Sequence, residues 1–271
     1  MGNSVKRVLF VNSEITPYLP ESEIANIGRY LPQGIQERKK EIRSFMPRYG
    51  CINERKNQLH EVIRLSGMNI IINDVDRPLV IKVASISAAR MQVYFIDNED
   101  YFHRKKVYND ENGEFFKDNA ERAIFCARGV LETVKKLRWA PDVIHCQGWI
   151  SQVLPLYLKK VYVDDPIFSN SKVVLSVYND TPEAFPEDFK EKILIPGITE
   201  ADIELLNDPT GINLAKLAAK YSDGIIYGSA DIPEEITAFC KDAGLPAVDY
   251  RAESFEDGSY IEDYNSFYDQ L

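Results

Sequence analysis

Short unbroken apolar runs, each followed by a segment of helical period, constrain this chain more than any other feature. A strand buried on both faces reads as a continuous apolar run, and that pattern belongs to a parallel sheet covered by helices. Arg7-Val-Leu-Phe-Val-Asn12 opens the series. A helical pattern follows from about Ser22 through Glu37, with Ile24, Ile27, Leu31 and Ile35 at three- and four-residue spacing. Pro32 inside it predicts a kink or a new first turn. Glu41 to Met46 is a second strand, stopped by Pro47-Arg48-Tyr49-Gly50.

The alternation resumes later. Asn119 to Lys136 reads as a long helix with Asp118 placed as its N-cap, and Pro141-Asp-Val-Ile-His145 as a strand. Trp149 to Lys160 is helical, Lys172 to Val177 a strand, Gly211 to Lys220 a helix, Gly224 to Tyr227 a strand and Ile232 to Asp242 the last clear helix. Residues 59 to 97 differ: short strands with turns at Asn73-Asp74 and Asp76-Arg77-Pro78 predict a β-rich excursion, closed by Met91 to Ile96. The expected fold is α/β, a Rossmann-like three-layer α/β/α domain with a mainly parallel sheet. With no Gly-, Ser- or Pro-rich linker, one domain over 1–245 is expected. Residues 246–271 form an acidic C-terminal tail: Glu253 to Asp269 holds six acids and no base, and is expected in solvent or loosely closed over the domain.

Composition excludes several classes. A net charge of -10, with no cluster of Lys and Arg among aromatics, argues against nucleic acid. No apolar stretch approaches the roughly 20 residues of a membrane span, and no charged n-region with an apolar h-region opens the chain. Cys51, Cys126, Cys146 and Cys240 lie far apart and form no metal-spaced cluster, so neither a metal nor a cofactor is expected. Reduced thiols point to a cytoplasmic protein.

Loop chemistry then narrows the reading. Val8-Leu-Phe-Val-Asn-Ser-Glu-Ile-Thr-Pro-Tyr18, Leu31-Pro32, Met46-Pro-Arg-Tyr-Gly50, Asp97-Asn-Glu-Asp-Tyr-Phe-His-Arg104, Asp118-Asn-Ala-Glu-Arg122, Pro141-Asp-Val-Ile-His145, Trp149 and Pro155-Leu-Tyr-Leu158 fall in an order and spacing that also takes in Asn213, Lys216, Tyr221, Asp223, Ser229 and Glu235-Ile236. From about Val8 to Ile236 the chain resembles the starch synthase catalytic domain of glycogen and starch synthases, retaining glycosyltransferases of GT-B architecture. The resemblance implies the N-terminal domain of a GT-B fold. It places Asp118, Asn119, His145, Trp149, Tyr101 and Arg104 on the acceptor side of the substrate cleft.

The departures fall where the family handles its nucleotide sugar. The family's Lys-x-Gly-Gly-Leu-Ala-Asp loop brings a cation and backbone N–H groups close to phosphates. Here those positions read Pro20-Glu21-Ser22-Glu23-Ile24-Ala25-Asn26. A unit charge reversal beside a phosphate costs about 1 kcal/mol in water and several when partly buried. The His-x-His-Asp-Trp-His motif reads His145-Cys-Gln-Gly-Trp-Ile150, and Tyr178 replaces a histidine before Asn179. Nothing after residue 245 is expected to supply the family's C-terminal domain.

Each candidate has a plainer reading beside the functional one. Asp118 serves as an acceptor-side carboxylate or caps a helix. His145 sits at the carboxyl edge of the sheet, where open α/β folds bind ligands, or is a satisfied core histidine. Trp149 is a sugar platform or a core aromatic, and Tyr101, Phe102 and Arg104 line a glucan groove or form a buried cluster. Three functions follow: a glycogen-synthase-like acceptor-side domain that binds α-glucan or another oligosaccharide without catalysing alone; half of a split glycosyltransferase completed by a separate nucleotide-sugar-binding chain; or a non-catalytic scaffold, for which a homo-oligomer is one form. Whether an ADP-glucose-dependent activity survives stays open at this level.

Overall fold

The computed structural model describes residues 5–271. The strands in chain order are β1 (Arg7–Asn12), β2 (Glu41–Pro47), β3 (His60–Glu61), β4 (Met68–Ile72), β5 (Val75–Ile86), β6 (Met91–Asp97), β7 (Val143–Gln147), β8 (Lys172–Val177), β9 (Gly224–Tyr227) and β10 (Ala247–Val248). They make one sheet in the order β10-β9-β8-β7-β1-β2-β6-β5-β3, with β4 paired to β5 off this path. From β10 to β6 all neighbours are parallel, while β5 returns antiparallel to β6. Sequence order reverses between β1 and β7. That switch point opens a crevice at the carboxyl ends of the strands.

Strand periodicity decides what covers each face. Leu9 and Val11 join the larger core with β8 residues Val173, Leu175 and Val177, whereas Val8 and Phe10 point the other way with Val143, Val174 and Ile226. The larger core lies under helices α3 (Asn119–Leu137), α4 (Leu154–Lys160) and α6 (Gly211–Lys220). The opposite face is covered by α1 (Glu23–Glu37) through Ile27, Leu31 and Ile35. Helix α1 is continuous across Pro32, with Ser22 as its N-cap. Short helices α2 (Glu99–Phe102), α5 (Phe189–Ile193) and α7 (Glu234–Asp242) complete the layers before residue 246.

Two expectations are corrected. Asn73 and Asp74 do form a turn, with φ of 49° and 60°, a two-residue hairpin of the kind that suits strand twist. Asp76-Arg77-Pro78, however, lies inside β5, paired with β4. The larger correction concerns residues 246–271, which are neither in solvent nor loose. Ala247 and Val248 extend the parallel sheet against Ile225 and Ile226, and helices α8 (Ala252–Asp257) and α9 (Tyr260–Gln270) follow. Tyr260, Tyr264, Phe267 and Tyr268 are buried on the face that α1 covers only in part. Acids and aromatics share α9 at helical spacing, so the charge run marks one side of an amphipathic helix. Its acids are used: Asp269 takes Lys40 at 2.8 Å and Glu262 takes Arg38 at 2.7 Å.

Phe267 shows how tightly this helix seats. A Cβ built on Gly224 falls 2.7 Å from its ring, so the ring fills the place a side chain on β9 would take. Phe267→Ala therefore costs about 3 kcal/mol by the cavity it leaves, read as a shift in urea unfolding free energy. A change below ~0.5 kcal/mol, the size of an ordinary surface substitution, would mean that α9 does not hold the sheet.

Candidate functional site

The carboxyl ends of β1, β7 and β8 converge on the loop of residues 103–118. Asn119 anchors that loop: its amide donates to the Tyr108 carbonyl at 2.8 Å, and its Oδ1 accepts from Arg122. Arg122 is buried, stacked over Phe102 at 5.1 Å and Phe116 at 5.5 Å, and burial lowers its pKa. Asp118 stands at the N-cap position of α3 but makes no side-chain cap. It pairs instead with both terminal nitrogens of Arg104, one at 2.7 Å, and that guanidinium lies 4.6 Å over the Phe116 ring. Tyr101 is buried, its hydroxyl donating to Glu121 at 2.6 Å with Arg77 over its ring. These five side chains tie the 103–118 loop and α2 to α3.

Trp149 alone of the six candidates lines an open cleft. Its ring lies 5.1 Å from Tyr108, 5.5 Å from Phe115 and 5.7 Å from Phe185. Tyr108, Phe115 and Trp149 line a 590 Å³ cleft together with Glu114, Asp180 and Glu183. No lysine or arginine lines it. The Tyr108 hydroxyl meets that of Tyr49 at 3.1 Å, and Tyr49 donates to the Ser13 carbonyl at 3.1 Å, so the wall is tied to the end of β1. Beneath it Ser13 Oγ and both polar atoms of the Gln147 amide are buried without a partner. Pattern reasoning missed Tyr108, Phe115 and Asp180. The rule that ligands gather beyond the carboxyl ends of strands would have marked Asp180, three residues past β8.

Two features flank the cleft. Ser22 Oγ accepts the Ala25 N–H at 3.0 Å and donates to Glu14 at 3.0 Å, and Glu23 occupies the first turn of α1. A helix N-terminus that would favour a phosphate is thus occupied by the chain's own hydroxyl and carboxylates. His145 is outside the cleft, fully buried between two hydroxyls: Nδ1 lies 2.6 Å from Tyr268 and Nε2 2.6 Å from Ser176. Burial drives its pKa down to about 3. Tyr178 is also buried, in the core that α9 covers.

Among the described residues no cluster of three metal-ligating side chains occurs, and no helix is long and apolar enough to cross a membrane. The four cysteines are unpaired.

Comparison with known proteins agrees with the fold. The family profile described as starch synthase catalytic domain matches residues 7–248. A glycogen synthase of Chlorobium limicola is 36% identical over 245 residues, covering 89% of this chain and 50% of that protein. A glycogen synthase of Chlorobaculum tepidum is 34% identical over 273 residues, covering 98% and 55% respectively. The chain therefore spans about half the length of these curated relatives. The catalytic domain of starch synthase IV from Arabidopsis thaliana, solved bound to ADP and acarbose, superposes with a TM-score of 0.72 at 13% identity, over 91% of this chain and 51% of that one. At that identity the likeness concerns the fold.

The buried histidine gives a direct test of the site's packing. The unfolded chain binds its proton near the ordinary imidazole value of 6.5, the folded chain only near 3, so stability falls as pH drops through that interval. Between pH 7.5 and pH 5 this group removes about 2 kcal/mol. His145→Asn is expected to abolish that part of the pH slope in urea unfolding. An unchanged slope would mean the imidazole is open to solvent.

Proposed function

The chain belongs to the starch synthase catalytic domain family, and on that premise we propose that it binds neutral α-glucan or a related oligosaccharide on the acceptor side, without holding a nucleotide sugar in the family manner. The cleft at the switch point carries the reading. Aromatic rings pack on the apolar faces of sugar rings, and acceptors such as Asp180 and Glu183 suit hydroxyl donors. A groove with carboxylates and no lining cation is poor ground for a pyrophosphate, whose recognition rests on cations and free N–H groups. The altered turn agrees: with Ser22 spent on capping and Glu14 and Glu23 beside it, the start of α1 has no free anion site. In this reading the protein belongs to glycogen or α-glucan metabolism as a glycosyltransferase-like, saccharide-binding chain.

Isothermal titration tests the reading. Maltotetraose is expected to bind with a Kd of ~1 mM or tighter, and ADP-glucose to give no heat. Phe115→Ala is expected to weaken maltotetraose binding about fivefold, the loss of roughly 1 kcal/mol of ring contact. Absence of heat from maltotetraose at millimolar concentration, or clear heat from ADP-glucose, would overturn the proposal.

A further inference from the structure

We propose that Asp180 is the polar anchor of the cleft, its carboxylate accepting a hydroxyl from a neutral saccharide ring packed on the Tyr108–Phe115–Trp149 wall, so that affinity follows the ionisation of this one side chain. The inference rests on the saccharide reading above and names the residue that makes that site selective.

Three observations carry it. Asp180 Oδ2 accepts the Trp149 backbone N–H at 2.8 Å, which locks the carboxylate against the aromatic wall. Its Oδ1 is buried and takes no hydrogen bond from another residue, although Asp180 lines the cleft. A buried acceptor left unpaired is costly, so its retention points to a donor delivered from outside. Gly148 supplies the third observation. It has φ of +79°, and a Cβ there would lie 2.1 Å from Ser13 Oγ and 3.2 Å from Asp180 Oδ2. A side chain at 148 would collide with Ser13 and press on Asp180 Oδ2. The resembling motif carries an aspartate at that position; here the end of β7 is emptied and a carboxylate arrives from the end of β8 instead.

Burial pushes the Asp180 acid up to about 6, against the lowering effect of the Trp149 N–H, and nearby Glu14 adds to the rise. The titratable groups around it are Glu14 beyond β1, Tyr108 in the 103–118 loop, Tyr178 on the same chain segment, and Glu183, which lines the same cleft. None is a cation. The ionised form is disfavoured by folding, so this residue lowers stability as pH rises from about 4 through 6, the reverse of a paired structural carboxylate. Side chains held at such cost gather at binding sites.

The test compares the full chain and Asp180→Asn by isothermal titration with maltotetraose at pH 7.5 and pH 5.0, and by thermal unfolding without ligand. At pH 5.0 about one tenth of the carboxylate is ionised, so wild-type affinity is expected to fall up to about tenfold from its value at pH 7.5. The variant is expected to bind about tenfold more weakly at pH 7.5, with no pH dependence, because its amide turns a donor toward the cleft. Its Tm is expected to exceed wild type at pH 7.5 and not at pH 4; a purely structural Asp180 would give a lower Tm at both. Equal affinities and equal pH profiles for the two proteins overturn the role of Asp180 and leave the saccharide reading standing. No heat from the wild type at either pH overturns both.

Discussion

A parallel sheet must be sealed by apolar cover on both faces, because its strands carry large side chains on each. Here one face is sealed by helices within the βα alternation and the other by a helix pair drawn from opposite ends of the chain. Val8, Phe10, Val143, Val174 and Ile226 meet Ile27, Leu31 and Ile35 from α1 and Tyr260, Tyr264, Phe267 and Tyr268 from α9. The carboxyl edge of β1, β7 and β8, where the cleft lies, is rigid only as far as this cover holds. His145 joins the two: its ring bridges the β8 hydroxyl of Ser176 and the α9 hydroxyl of Tyr268 inside the sealed layer.

The same physical rules that close the fold redirect the site. A helix N-terminus offers free N–H groups to an anion, but capping with Ser22 and crowding with Glu14 and Glu23 use up that capacity. In the proposed reading, this crowding keeps phosphate from a place where the fold would otherwise invite it. What remains is a concave wall of aromatics held by hydroxyl and amide contacts to β1 and α3, together with carboxylates. The proposed selectivity for an uncharged polyhydroxylated ligand over an anionic one would come from desolvation and like-charge repulsion rather than from shape alone.

Much of this fold was legible because the signals were local and strong. The apolar runs at Arg7–Asn12, Lys172–Val177 and Gly224–Tyr227 became strands within the expected bounds, and Gly211–Lys220 became a helix. The resemblance to starch synthases likewise agreed with the family match over residues 7–248. The failures share a cause. Acid content hid the amphipathic period of α9, whose aromatic face becomes interpretable only when a sheet face in need of cover is known. The site was less legible than the fold. Asp118 carries the local signature of a cap, yet an arginine fourteen residues upstream claims its carboxylate. Asp180 carries no signature at all, since its meaning comes from Gly148 and Trp149 across the strand ends.

The central claim is that the carboxyl edge accepts a neutral glucan while the start of α1 no longer accepts a nucleotide sugar. Backbone amide NMR shifts on titration report both places in one sample. Maltotetraose is predicted to move resonances of residues 108–115, Trp149 and 180–184, and ADP-glucose to leave residues 20–26 unmoved. Saturable ADP-glucose shifts across residues 20–26, with none from maltotetraose around Trp149, would contradict the account.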